Sequence, residues 1–485
     1  MGIVPIFKVR ARLMSDSQQL SATGALQKVH FLSLGCPKNR IDTETMLAGI
    51  EGEYVITGEA EEADVVVVNT CAFVDSAKEE SVNAILDMAE LKETAQLKKL
   101  IVSGCLSQRY AKELAVEMPE IDHLVGTNDL TAVKQILDES RQLEGVGQQD
   151  VPKKHYVSDP DRAGFDWEMP RVNTMTGHSA YLKIAEGCSN SCAFCIIPTL
   201  RGPQRSRSIE SIVREATQLA SEGVVELNLI AQDLTAYGYD LKPRANLTAL
   251  LSALEEVEGV KWIRLFYAYP RNFPSGLIEL LSRSKKVVPY LDMPLQHISD
   301  NVLSLMRRGT RGETIRKRIR ELRAGVPNLA LRTTFIVGYP GETEEDHKEL
   351  LSFVREAKFE RLGAFIFSRE EGTPSHDLPN QVPEEVKERR YNELMFVQRE
   401  VSRELNEALI GAEVEVMVER ISEESDLVVV GRVAQQAPDI DGVTYLGLDD
   451  ELEAGQVVRG VITQVTDYDL AVEVMRDDEG EMIFA

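Results

Sequence analysis

The chain has 485 residues, of which 27% are charged, and its 79 acidic against 54 basic side chains give a net charge of −25. Such an acid excess excludes a protein that coats nucleic acid through non-specific phosphate contacts, and six cysteines in so long a chain exclude a disulfide scaffold. No apolar stretch reaches the length of a membrane span, and residues 1–26 carry no convincing signal-peptide core or cleavage site, so the expectation is a cytoplasmic protein with no membrane partner and about three domains.

Residues 1–26 read as an N-terminal extension. Residues 27–142 repeat one pattern three times: an apolar run, a cysteine at its end, then a helix-like stretch. The run 29–35 leads into Cys36, 64–70 into Cys71, and 100–104 into Cys105. Such alternation predicts a parallel α/β sheet, whose strand ends open onto a shared crevice. The cysteines are 35 and 34 residues apart, about one βα unit each, so the three thiols converge at one edge. Free cysteine is also an ordinary core residue. Against three unrelated core cysteines stands their position at strand ends beside Gly or Thr, where turns and ligands approach.

Residues 143–172, with Pro152, Pro160 and Pro170, show no helix or strand period and read as a linker. Between 173 and 405, strand-like runs recur at 180–184, 226–230, 262–266, 289–293, 331–337 and 361–367, with helical stretches such as 209–221 and 344–358 between them. This predicts an open β/α barrel of about six strands. After its first strand comes Glu186-Gly187-Cys188-Ser189-Asn190-Ser191-Cys192-Ala193-Phe194-Cys195, at the face where barrels keep their chemistry. The spacing is C-x3-C-x2-C with no fourth cysteine nearby. A structural zinc takes four protein ligands, and a four-iron cluster normally takes four thiolates. Three thiolates leave one iron open to a substrate or cofactor. Residues 406–485 hold apolar runs at 414–418, 427–432 and 456–462 separated by Gly and Asp turns, which predict a small antiparallel β-barrel. The fold class is α/β, with an N-terminal parallel α/β domain, a central open β/α barrel and a C-terminal all-β barrel.

The C-x3-C-x2-C spacing with an aromatic residue before its last cysteine resembles the signature of radical S-adenosylmethionine enzymes. Taken with the three N-terminal cysteines and a C-terminal barrel of TRAM type, the chain resembles the methylthiotransferases over nearly all of its length after residue 27. Leu34-Gly35-Cys36-Pro37-Lys38-Asn39 and Asp42-Thr43-Glu44 look like the subgroup acting on the twelfth protein of the small ribosomal subunit. So do Asn69-Thr70-Cys71-Ala72-Phe73, Tyr290-Leu291-Asp292-Met293-Pro294-Leu295-Gln296-His297 and Gly338-Tyr339-Pro340-Gly341-Glu342. Arg40-Ile41 departs from the pair expected after Asn39, a conservative change.

The resemblance implies methylthiolation of the β carbon of an aspartate. It implies two 4Fe-4S clusters and S-adenosylmethionine, with Cys188, Cys192 and Cys195 as catalytic metal ligands and Cys36, Cys71 and Cys105 holding an auxiliary cluster at which sulfur is presented. An electron donor is required. Phe194, Gln232, Asp233 and Arg332 are the expected cofactor-pocket residues, against core filling for Phe194 and surface or structural roles for the others. Arg201, Arg205 and Arg207 suit either a carboxylate or a solvated surface, and His178 and His297 read as structural. From 411 to 485 there are nineteen acidic and four basic residues, densest at Asp449-Asp450-Glu451 and Asp477-Asp478-Glu479. A domain of that charge repels RNA and suits a basic ribosomal protein, free or in the ribosome. The bland alternative is a solvated acidic surface. Two rival functions are a tRNA adenosine methylthiotransferase and a non-catalytic metal-binding protein that docks on ribosomes.

Overall fold

The computed structural model describes residues 26–142, 154–161, 166–271, 273–422, 427–448 and 452–484. The expected extension 1–26, residue 26 apart, and the acidic run Asp449-Asp450-Glu451 lie outside them. The chain forms two compact units. One comprises Met1–Thr174, Glu186–Asn190 and Cys195–Arg205, the other Met175–Ala185, Ser191–Phe194 and Ser206–Ala485.

In the first unit the order is β1 (Lys28–Ser33), α1 (Pro37–Ala48), β2 (Val55–Ile56), β3 (Val65–Thr70), α2 (Asp75–Thr94), β4 (Lys99–Gly104), α3 (Cys105–Glu117), β5 (His123–Val125), α4 (Ala132–Gln142) and β6 (His155–Tyr156), with α5 (Ile197–Arg201) contributed from further along the chain. The sheet is parallel throughout, in the order β2-β1-β3-β4-β5-β6. The apolar run in β3 is continuous because both faces are covered. Val66 and Val68 pack with Leu100 and Val102 against Ile85 of α2 and Leu106 of α3. Val65 and Val67 pack on the other side with Ile101 against Leu47 of α1 and Ile136 of α4. The region expected to be structureless linker contributes β6 at the sheet edge; a two-residue strand is too short to show a period.

In the second unit, β7 (Ser179–Lys183) precedes the cysteine loop, which is bounded in sequence by the two-residue strands β8 (Ala185–Glu186) and β9 (Arg205–Ser206). There follow α6 (Ile209–Ser221), β10 (Glu226–Ile230), α7 (Leu247–Glu255), β11 (Trp262–Leu265), α8 (Leu277–Arg283), β12 (Val287–Asp292), α9 (Asp300–Leu305), α10 (Gly312–Gly325), β13 (Ala330–Val337), α11 (Glu344–Ala357), β14 (Arg361–Ile366) and α12 (Glu384–Glu407). Six parallel strands run in the order β14-β13-β12-β11-β10-β7 without closing, as expected of an open barrel. Ala180, Leu182, Leu227, Leu229, Leu291 and Phe335 face the surrounding helices. Alternate residues face the opposite way, and there the strands carry Lys183, Glu226, Asn228, Arg264, Asp292 and Arg332, five of them buried.

The C-terminal barrel is a closed ring, β15 (Glu413–Ile421), β16 (Val428–Val433), β17 (Thr444–Gly447), β19 (Leu470–Val474) and β18 (Val457–Val465). It is not wholly antiparallel as expected: β17 and β19 pair in parallel. Strands in a ring can alternate direction all the way round only if their number is even, so five strands force one parallel seam.

Candidate active site

Cys36 is the N-cap of α1, with Pro37 opening the helix; Cys105 is the first residue of α3. Cys71 follows β3, its N–H donating to Ser81 Oγ at 3.0 Å and its carbonyl accepting from the same hydroxyl at 2.9 Å. Two glycines let these chain ends approach. Gly35 (φ +90°) would set a Cβ 2.8 Å from Cys71 Cβ, and Gly104 (φ +92°) would set one 2.3 Å from Asn69 Oδ1 and 2.6 Å from the Thr70 carbonyl. Asn39 Nδ2 joins the ends of β1 and β3 by donating to the carbonyls of Leu34 (3.0 Å) and Thr70 (2.9 Å).

The three thiols feel one another. Burial, with Cys105 and then Cys36 as neighbours, pushes the Cys71 thiol up to about 12. Burial pushes Cys105 up to about 11 against the pull of Arg201, with Cys36 again raising it. Arg201, only 2% exposed, projects into this group. Its Nη2 donates to Asn39 Oδ1 (2.7 Å) and Asp42 Oδ2 (2.8 Å) and lies 3.8 Å from Cys105 Sγ, while Nη1 lies 3.1 Å from each Glu186 oxygen.

The C-x3-C-x2-C loop is held residue by residue. In the first unit, the Cys188 N–H donates to the Gly202 carbonyl at 3.0 Å, and Asn190 Nδ2 reaches Cys188 Sγ at 3.6 Å. In the second unit, the Ala193 N–H donates to the Met306 carbonyl and the Ala193 carbonyl accepts from Ser375, both at 2.9 Å. Arg308 Nη1 lies 3.4 Å from Cys192 Sγ. The same guanidinium sits 4.0 Å above the Tyr269 ring, and the Tyr269 hydroxyl donates to the Arg308 carbonyl (2.6 Å) and lies 3.9 Å from Cys192 Sγ. Phe194 packs on Val302, Met306, Tyr339 and Phe367.

The remaining expected residues fall as follows. Gln232 and Asp233 come just after β10; Asp233 caps the next turn, accepting from Thr235 N (3.0 Å) and Oγ1 (2.7 Å). Arg332 Nη1 donates to Asp292 Oδ1 at 2.8 Å, and its Nε lies 3.7 Å from Asp441 of the C-terminal barrel. Arg201, Arg205 and Arg207 do not form a solvated run. Arg205 donates to the Pro160 carbonyl (3.0 Å) and Asn128 Oδ1 (3.3 Å), and Arg207 pairs with Glu215. His178 is buried beside Thr176 Oγ1 (3.3 Å), and His297 Nδ1 accepts from Ser299 N at 3.1 Å. Sequence reasoning assigned no role to Asn39, Asp42, Tyr269 or Arg308. For the first two a signal existed, because positions 36, 39 and 42 follow an i, i+3 helical spacing; Tyr269 and Arg308 lie in loops and carry no such mark.

Among the described residues, no group of three or more His, Cys, Asp or Glu side chains is gathered closely enough to hold a single metal ion. An iron–sulfur cluster makes a different demand: each thiolate takes its own iron, which spaces the cysteines more widely. The six cysteines, none in a disulfide, suit two clusters of three ligands each. N–H groups of Arg201, Arg308 and Asn190 directed at sulfur are the outer partners that thiolate ligands use.

Family models match over 28–126 (uncharacterized protein family UPF0004), 182–354 (radical SAM superfamily) and 410–475 (TRAM domain). The radical S-adenosylmethionine methyltransferase TsrM from Kitasatospora setae, solved with cobalamin and a [4Fe-4S] cluster, shares the fold at a TM-score of 0.52 and 15% identity, over 72% of this chain and 77% of that one. The ribosomal protein uS12 methylthiotransferase RimO of Anaeromyxobacter sp. (strain Fw109-5) is 49% identical over 94% of both chains. That of Myxococcus xanthus (strain DK1622) is 50% identical, covering 93% of this chain and 92% of the relative. With identity near one half along almost its whole length, the chain belongs to the ribosomal protein uS12 methylthiotransferase family.

Proposed function

We propose that this enzyme attaches a methylthio group to the β carbon of an aspartate in ribosomal protein uS12, working in the cytoplasm. The observation that supports the sulfur-transfer half is the gathering of Cys36, Cys71 and Cys105 at one edge of the N-terminal sheet, a second triplet that S-adenosylmethionine cleavage alone does not require. Membership of the radical SAM superfamily brings one 4Fe-4S cluster and S-adenosylmethionine; Cys188, Cys192 and Cys195 would hold that cluster. We assign a second 4Fe-4S cluster to Cys36, Cys71 and Cys105. When bound, these groups supply, with an external electron donor, the radical chemistry that an unactivated C–H bond demands and a place for sulfur.

The chain's own residues do the positioning. Arg308 presents an N–H to Cys192 and is itself fixed by the Tyr269 ring and by the Pro294 carbonyl at 2.6 Å. The Ala193 backbone bonds set the centre of the loop. We assign Phe194, Gln232, Asp233 and Arg332 to the S-adenosylmethionine pocket. What supports this is the position of Gln232 and Asp233 just beyond a barrel strand, and of Arg332 beside Asp292 on the face turned from the helices.

The C-terminal barrel selects the partner by charge. Nineteen acidic against four basic residues in 411–485 favour a basic protein and disfavour RNA, and Asp477, Asp478 and Glu479 are exposed. No helix among the described residues is long and apolar enough to cross a membrane.

Anaerobically reconstituted enzyme, given S-adenosylmethionine, sulfide and a reductant, is incubated with free uS12, with small subunits lacking the modification, and with tRNA. Mass spectrometry should find one added methylthio group on uS12. Product on tRNA alone would refute the proposal, and colourless zinc-loaded protein would favour a docking role.

A further inference from the structure

We propose that Arg201 is a positioning residue that sets the charge balance of the Cys36, Cys71 and Cys105 site and ties it to the start of the C-x3-C-x2-C loop. The inference rests on the reading that these thiols hold an iron–sulfur cluster.

Arg201 ends the five-residue α5 and is almost wholly removed from solvent. A buried guanidinium is tolerated only when its charge and its N–H groups are matched. Here the matching partners are themselves joined to the thiols. Asn39 and Asp42 lie on α1, whose N-cap is Cys36. Glu186 stands two residues before Cys188 and takes the other arm of the guanidinium. The contact with Cys105 Sγ at 3.8 Å is direct. One planar group thus reaches the segments that carry ligands of both triplets. Only arginine offers N–H groups diverging in one plane toward so many acceptors; a lysine ammonium keeps the charge but not the fork.

The charges assign its role. Asp42 and Glu186 face Arg201, and Arg205 adds a second positive charge near Glu186, so these four groups balance and a cluster on the three thiolates would bring the uncompensated negative charge. Arg201 is the cation directed at its sulfurs. Positive charge and N–H donation to sulfur favour the reduced, more negative state of a cluster and raise its potential. Asp42 acts in the opposite sense by drawing the guanidinium to itself.

The test uses the full chain with Cys188, Cys192 and Cys195 all replaced by Ala, so that only the other triplet can load. After anaerobic reconstitution, iron and sulfide are assayed and the midpoint potential is measured by EPR-monitored titration, in this background and with R201Q, R201K or D42N added. R201Q should lower the potential by at least 59 mV, a tenfold change in the reduced-to-oxidised ratio for one electron. R201K should recover part of that, and D42N should shift the potential upward. A background protein that loads no cluster defeats the underlying cluster reading. A loaded protein whose potential is the same in all variants defeats the Arg201 inference alone. Should R201Q fail to fold or to load, D42N decides: an unmoved or lowered potential overturns the inference.

Discussion

Replacing Glu226 by Gln tests whether the barrel and the C-terminal ring are held by charge. The Glu226 carboxylate is fully buried at the start of β10. Its Oε1 accepts from Arg264 Nε (3.1 Å) and Nη2 (3.0 Å) and from Arg432 Nη1 (3.2 Å), and its Oε2 from Arg432 Nη2 (2.6 Å) and Ser179 Oγ (2.9 Å). Arg432 belongs to β16 of the C-terminal ring. The amide keeps the shape but removes the charge and turns an N–H₂ toward a guanidinium. Two buried cations lose their main counter-charge, which costs about 3–5 kcal/mol when one partner of a buried pair is removed. That is a large share of the 5–15 kcal/mol typical of a domain. Trp262 of β11 stands directly opposite Glu226 in the strand register and is one of two tryptophans in the chain, so Trp167→Phe leaves it as a local reporter. Urea unfolding followed by its fluorescence should show the midpoint fall sharply in Glu226→Gln. Because Glu419 also pairs with Arg432 at 2.6 Å, the rescue takes four changes, Glu226→Leu, Arg264→Met, Arg432→Met and Glu419→Gln, which should recover most of the loss, since replacing a whole buried ion group by neutral side chains is often nearly neutral. The pH dependence has a definite sign. Burial pushes the Glu226 carboxyl up, but Arg432 and Arg264 outweigh it and hold it well below the usual carboxylate range. Its contribution is therefore complete above the ordinary carboxylate pKa and drains away as pH falls below it, a dependence Glu226→Gln should lack. A loss under about 1 kcal/mol at pH 7 would refute the reasoning, since the penalty for orphaned buried charge is larger.

Cys192→Ala should abolish S-adenosylmethionine cleavage, whereas Cys71→Ala should leave some cleavage, read as 5′-deoxyadenosine, and stop thiolation; normal thiolation by Cys71→Ala would remove the second-cluster assignment. Gly104→Ala must fit a Cβ where only 2.3 Å separates it from Asn69 Oδ1, at a φ that side chains avoid. We expect a stability loss of about 1–3 kcal/mol in thermal unfolding, with reduced iron uptake, and an unchanged protein would show that the turn relaxes. His123 in β5 is buried, and burial followed by the Lys99 cation lowers its pKa to about 4. The folded first unit therefore holds it neutral, so stability is full above about pH 6.5 and declines toward pH 4 by at most about 3 kcal/mol. His123→Gln should flatten that decline in a pH series of urea midpoints.

The strands that position the chemistry were legible because they are apolar runs of four to eight residues, each followed by a helix with its own period. The strand expected at 331–337 is β13, and the helix expected at 209–221 is α6. Strands β2, β5 and β6 escaped notice, since two or three residues leave no pattern. The ring strands β17 (Thr444-Tyr445-Leu446-Gly447) and β19 (Leu470-Ala471-Val472-Glu473-Val474) are not short by that measure, but polar residues and glycine break up their apolar runs. The gathering of Cys36, Cys71 and Cys105 was readable from spacing alone because parallel βα units repeat at near-constant length. The side chains that partner the sulfurs of the two triplets were not. Arg201 lies 96 residues from Cys105 and Arg308 lies 116 from Cys192, and no local pattern joins residues so separated. The Arg201, Arg205 and Arg207 run illustrates the limit, for its charges suit solvent as well as carboxylates until the fold brings Asp42, Glu186 and Glu215 to them.

Helix α12 does not end in a loose tether. Ser402 Oγ donates to the Asp467 carbonyl at 2.7 Å, Asn406 Nδ2 reaches the Thr466 and Asp467 carbonyls at 3.2 Å each, and Arg403 pairs with the Asp467 side chain at 2.6 Å. The last turns of the helix thus act as a splint set into the β18–β19 turn. Anyone grafting a phosphate-seeking ring from an RNA-modifying cousin onto this enzyme would have to transplant that socket, along with Arg432 and Asp441. Exchange at the covalent join alone would leave the new ring swinging, and a change of clientele would then be blocked by carpentry before charge had any say.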